Sequence, residues 1–210
     1  MTVGTPDPES GPMLTERFDE ALVFATRLHA GDVRKGSTVP YVAHLLGVCA
    51  LVLVDGGGED EAVAALLHDA LEDHPTETSR DEIEGRFGPE VLAIVVACSD
   101  TPPDYAGGVK APWRERKEAY LAHLAQASPA ALRVAVADKV DNARSMLADY
   151  RVVGDELWTR FKKGKEHQLP YYDALIGAFR AAGATGFLIE ELERTVSELE
   201  RLAAGAAQST

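Results

Sequence analysis

Between Leu66 and Pro75 the chain reads LLHDALEDHP, with one histidine and three carboxylates within the six positions from His68 to Asp73 of an otherwise apolar run. On a helix turning about 100° per residue, His68, Asp69, Glu72 and Asp73 share one face, and Leu66, Leu67, Ala70 and Leu71 the other. A bland polar face would mix in Lys or Arg as i,i+4 partners; this one has none, so its acids call for a cation from elsewhere. His68 and Asp69 offer a metal ion one nitrogen and one oxygen, although an HD dipeptide also arises by chance. Two distant residues add weight. His44 lies within YVAHLLGVCALVLV, where an imidazole is costly unless satisfied. Asp138 lies within ALRVAVADKVDNA, where a bare carboxylate needs a cation or strong donors. Singly, His44 reads as a core histidine bonded to a backbone carbonyl, and Asp138 as half of an ion pair with Lys139 or Arg144. Together, His44, His68, Asp69 and Asp138 are a two-nitrogen, two-oxygen set that suits a divalent transition metal.

Helices must bring these residues together. Thr15 is expected to cap a helix through Ala30, and the apolar run Tyr41–Val54 is stopped by DGGG. A third helix is expected over Asp60–Asp73, closed by His74-Pro75. Ser79 precedes DEIEGRFG, and Pro89 opens a further helix whose valine-rich centre also suits a strand. After a loop over Thr101–Pro112, helices are expected at Trp113–Ala127, Pro129–Tyr150, Asp155–Lys163, Leu169–Ala182 and Thr185–Ala203. The reading is an all-α, single-domain helical bundle over residues 14–205, preceded by a disordered segment at 1–13.

Composition narrows the function. The 210 residues, 46% hydrophobic, suffice for one buried core, and the formal charge of −13 argues against a duplex nucleic-acid binder. The amino terminus lacks a basic start, and no apolar run approaches the roughly 18 residues that span a bilayer, so a soluble, cytoplasmic protein is expected. Cys49 and Cys98 sit among aliphatic residues and read as free, packed thiols.

The order H…HD…D resembles the HD superfamily of metal-dependent phosphohydrolases. RKGSTVPYVAHLLGV resembles the RK…PY..H motif of RelA/SpoT-type guanosine-polyphosphate hydrolase domains, AALLHDALEDHP their LLHD..ED motif, and VADKVDNAR their AD+..N segment. IEGRFGPEVLAIV resembles their FG..V segment, and the likeness covers about residues 15–182. With no length left for synthetase and regulatory domains, the chain is most similar to the small, hydrolase-only alarmone hydrolases. The resemblance implies an HD-type fold with His44, His68, Asp69 and Asp138 as ligands of Mn²⁺, or of another divalent transition metal. It implies Glu72 and Asp73 as the acidic pair that activates or positions water, and Arg34, Lys35 and Asn142 as nucleotide contacts. The implied reaction removes the 3′-diphosphate of guanosine tetra- or pentaphosphate.

Two positions depart from the motifs: Leu45 stands where proline is common, and Asp141 where histidine precedes the asparagine. Asp141 adds negative charge near the substrate, which tunes specificity or brings a second cation. Lys110, Arg114, Arg116 and Lys117 form either a phosphate clamp or a helix start paired with Glu115 and Glu118. His29, His74, His123 and His167 read as surface or packing residues, with His29 near enough to Arg34 to approach the site. Alternative readings are a broader nucleotide or NADPH phosphatase and a non-catalytic nucleotide sensor. The intact Glu72-Asp73 pair argues against the sensor, which needs no water activator. The sequence leaves the oligomeric state open.

Overall fold

The computed structural model describes residues 14–102, 105, 107–161 and 163–206, so the expected tail at 1–13 lies outside the described residues. Helices account for most of them: α1 Glu16–Leu28, α2 Val42–Val54, α3 Glu59–Leu67, α4 Ala70–Asp73, α5 Arg80–Phe87 and α6 Pro89–Cys98. α7 Trp113–Leu124, α8 Pro129–Val153, a 3₁₀ segment Gly154–Arg160, α9 Lys165–Ala181 and α10 Phe187–Ala206 complete the bundle. Among the described residues there is no strand, only an isolated bridge between Val33 and Pro40. None of the described helices is long and apolar enough to cross a membrane.

Local chemistry sets the ends. The side chains of Thr15, Ser79 and Ser128 accept from the backbone amides of Arg17, Glu82 and Ala131, and Pro89 and Pro129 open α6 and α8. The valine-rich segment is therefore helical. α3 is buried on every side, Ala62 through Leu67 being fully covered, and it packs against α1, α2, α6 and α8. Arg17 pins α1 to Glu59 and Asp60, while Arg144 and Arg151 tie α8 to Glu191 and Glu198 of α10.

The expected helix over Asp60–Asp73 is broken at His68-Asp69, which form a turn between α3 and α4. Asp69 takes φ −97° and ψ −5°, away from helical values. The His68 ring bonds back to the Ala65 carbonyl at 2.8 Å, and the Tyr41 hydroxyl donates to Asp69 Oδ2 at 2.5 Å. Side-chain contacts thus replace the helical ladder at this point. The Asp155–Lys163 helix is instead the 3₁₀ segment, where Tyr150 and Trp158 both donate to Asp155 Oδ1. α9 starts earlier than Leu169, because Gly164 at φ 70° makes the entry turn and Pro170 is accommodated inside the helix.

Candidate active site

α2, the α3–α4 junction and α8 carry the four metal-ligand candidates to one point. His44 Nε2 lies 3.7 Å from Asp69 Oδ2 and 3.3 Å from Asp138 Oδ1, and His68 Nε2 lies 2.9 and 3.8 Å from the same two oxygens. These separations bracket the roughly 3–3.5 Å between adjacent donors that each sit about 2.0–2.2 Å from one ion. His44, His68 and Asp138 are almost wholly buried. His68 Nδ1 is taken by the Ala65 carbonyl, which leaves the buried Nε2 facing Asp69 Oδ2 and Asp138 Oδ1 without a well-formed hydrogen bond. The donor set and this nitrogen, turned onto two carboxylates, both fit a metal.

Electrostatics agree. Burial opposes protonation of His68, but Asp69 and Asp138 outweigh it and push the ring up to about 9; His44 is raised similarly by Asp138 and Asp141. Burial likewise opposes ionisation of Asp138, yet Lys139 and the two histidines hold its carboxyl well below the usual range. Without a metal, protons on the histidines supply the missing positive charge. The ion-pair reading of Asp138 is also realised: Lys139 Nζ sits 2.5 Å from Oδ2, and Asn142 donates to Oδ1, the oxygen that faces the histidines.

The acidic pair divides. Glu72 Oε1 accepts from Lys110 Nζ at 2.8 Å, and Oε2 faces the Asp100 amide at 3.4 Å. Asp73 ends α4 at the solvent edge. Partial burial, then the charges of Asp69 and Glu72, push its carboxyl up to about 7, a shift that its remaining exposure moderates.

A cleft of about 520 Å³ opens beside His44. Among the described residues, six cationic ones line it, Arg34, Lys35, Lys117, Lys139, Arg144 and Arg160, against Asp141 and Asp149, on a chain whose net charge is −13. Asn142 and the rings of Trp113, Tyr171 and Tyr172 complete its wall. Arg34 and Lys35 sit on a loop tied by the Arg34 amide to the Val39 carbonyl at 2.8 Å. Gly36 in that loop has φ 70° and no side chain to strike Arg160.

A family model for the HD domain matches residues 21–160. The chain belongs to the HD-domain family. The Xenopus tropicalis guanosine-3′,5′-bis(diphosphate) 3′-pyrophosphohydrolase MESH1 is 38% identical over 130 residues, covering 60% of this chain and 68% of the relative. The Homo sapiens MESH1 is 36% identical over the same shares. A solved structure of a metazoan orthologue of SpoT, described as hydrolysing ppGpp, superposes with a TM-score of 0.72 over 90% of this chain and 98% of that one, at 24% identity, and so has the same fold.

Several features of this HD-domain protein escape sequence reasoning. Asp141 turns onto a candidate ligand: its Oδ2 lies 2.6 Å from His44 Nδ1 and 3.7 Å from Arg34. Gly47 makes room for it, since a Cβ there would collide with the Asp141 carboxylate. The cations read either as a phosphate clamp or as a helix start paired with Glu115 and Glu118 are all paired with acids. Lys110 meets Glu72, Arg114 meets Glu118, and Arg116 and Lys117 both meet Asp100. Of these only Arg114–Glu118 is a pair foreseen for a helix start, and only Lys117 also lines the cleft. The two thiols are free, and burial pushes Cys49 up to about 11. His29 and His74, read as packing residues, join a second cluster with Asp32.

Proposed function

We propose that this HD-domain protein is a Mn²⁺-dependent hydrolase that removes the 3′-diphosphate of guanosine tetra- or pentaphosphate, a cytoplasmic enzyme acting on a small nucleotide through one domain at residues 14–205. The observation that carries the reading is a buried His/His/Asp/Asp cluster opening onto a cationic, aromatic-walled cleft. The MESH1 relatives, named for this reaction, support it. In this reading His44, His68, Asp69 and Asp138 hold the ion, which when bound lowers the pKa of water and screens phosphate charge. Arg34, Lys35 and Asn142 bind the nucleotide's phosphates, aided by Lys117 and Arg160 across the cleft. Asp73 accepts the proton of the attacking water at its carboxylate, and Glu72, held by Lys110, positions that water. Lys139 keeps the Asp138 carboxylate ionised, so that Oδ1, which accepts from Asn142 and faces the histidines, remains a donor to the ion. The test is a metal-supplemented assay of guanosine tetraphosphate, NADPH and common nucleotides with products resolved. Release of pyrophosphate from the 3′ position of guanosine tetraphosphate is expected; faster turnover of NADPH, or binding without turnover, would replace this reading.

A further inference from the structure

A second histidine–carboxylate cluster lies on the other side of Tyr41 from the deep site. Asp32 Oδ2 is 2.8 Å from His29 Nδ1 and 2.7 Å from His74 Nε2, and the two imidazoles meet edge to face with centroids 4.6 Å apart. One ligand atom from each of the three residues falls within 4.8 Å of the others, a property that only this trio and the His44–His68–Asp69 trio show among the described residues. His29 reaches Asp32 through Nδ1, and its Nε2, on the far side of the ring, is buried without a hydrogen-bond partner among the described residues. His29 is 3% exposed, so water does not readily satisfy it, and burial together with the charge of His74 favours its neutral, ligating form. Asp32 and His74 keep partial access to solvent, which supplies an entry path, and Glu77 lies 2.9 Å from His74 Nδ1 as a further carboxylate at the rim.

We propose that His29, Asp32 and His74 form a second divalent-metal site, selective for Zn²⁺-like ions. Two imidazoles and a carboxylate are the donor set of zinc sites, and an ion here would take the place of the protons that now hold Asp32 between two rings. It would also clasp the loop bearing Arg34 and Lys35 to the chain that leaves Glu72 and Asp73. The Tyr41 amide is already anchored to the Asp32 carbonyl at 2.9 Å, and the Tyr41 ring stacks on His29 at 5.1 Å. The site goes beyond the proposed hydrolase reaction and does not depend on it.

The full chain, stripped with chelator, is titrated with Zn²⁺ by calorimetry and with Co²⁺ by visible absorption. Wild type is expected to take two ions per chain, and Asp32→Asn and His74→Ala, both partly exposed changes that spare the core, are each expected to take one. His68→Ala should keep the ion that His74→Ala loses. A single ion in wild type that survives Asp32→Asn and His74→Ala would overturn the site, as would a second ion that survives both. A single ion in wild type that is removed by His74→Ala would sustain this site and overturn the deep one, so the two failures are told apart.

Discussion

Two histidine–carboxylate clusters flank Tyr41, and they differ in how the chain holds them. The deep cluster draws its donors from α2, the α3–α4 junction and α8, elements locked by a shared core, and Asp141 and Ala65 orient its two rings through their Nδ1 atoms. The rim cluster takes donors from the loop after α1 and the turn after α4, and a single Asp32 oxygen serves both rings. A metal bound in the deep cluster meets preorganised donors, whereas one at the rim must first break both of these hydrogen bonds. Deep-site changes should therefore abolish function, and rim changes should tune it.

The largest expected effect is at the deep site. His68→Ala should remove the high-affinity ion and lower turnover on the order of 10³-fold or more, since water activation and charge screening are lost together. Metal content and rate are measured on one preparation; full activity without the imidazole would return His68 to a packing role. Next in size, replacing Glu72 by Gln and Asp73 by Asn should lower turnover about 10²-fold while metal and nucleotide still bind. Lost metal in that variant would make one of the pair a ligand.

Much of this was legible in residue types, because burying an imidazole or carboxylate on an apolar helix demands a partner whatever the fold. His44 and Asp138 could be singled out on that ground, and Thr15, Ser79, Pro89 and Pro129 mark helix starts by local backbone chemistry. The break at His68-Asp69 was hidden, since it is made by Tyr41 and a side-chain bond to Ala65 that compete with the helical ladder. Asp141 was read as facing substrate; its turn toward His44 depends on clearance over Gly47, a contact between α2 and α8 with no local signature. The cleft was missed for the same reason: Lys117, Arg160, Tyr171 and Tyr172 come from α7, the 3₁₀ segment and α9, and only packing joins them. The rim trio spans a loop and the end of α4; its two histidines read as surface or packing residues, and Asp32 carried no signal of its own.

Asp141 sharpens the contrast in orientation. Asp141→Asn keeps the shape beside Gly47 but removes the charge that aligns His44, so metal affinity should fall roughly 10- to 100-fold with the fold intact. Calorimetry in the Asp141→Asn protein measures this, and unchanged affinity would reduce Asp141 to an anchor for Arg34. Reversing Arg34 to Glu should raise KM about tenfold with bound metal unchanged, because one cation among the several lining the cleft is inverted. Steady-state kinetics beside metal analysis decide it; a change in kcat alone would move Arg34 away from substrate binding.

The smallest effect concerns stability and separates the clusters by sign. In the metal-free deep cluster both histidines titrate higher folded than unfolded, His68 at about 9, so the stability they contribute is present below the unfolded value near 6.5 and is lost as pH rises through 9. At the rim the two histidines oppose one another. Burial and His74 lower His29, which weakens the fold as pH falls, while the Glu77 and Asp32 contacts overcome burial to raise His74. Asp32, Asp69 and Asp138 are held below the usual carboxylate range and add no slope here, whereas Asp73, raised to about 7, adds a smaller fall at the lower end of the window. The melting temperature of chelator-treated protein should thus fall between pH 6.5 and 9, on the order of 5 °C, through the deep histidines. His68→Gln should flatten that fall and His74→Gln should leave most of it. Saturating metal should remove or reverse it, because ion binding strengthens as the imidazoles lose their protons. A slope that His74→Gln abolishes and His68→Gln preserves would transfer the coupling to the rim and invert the contrast between the two sites.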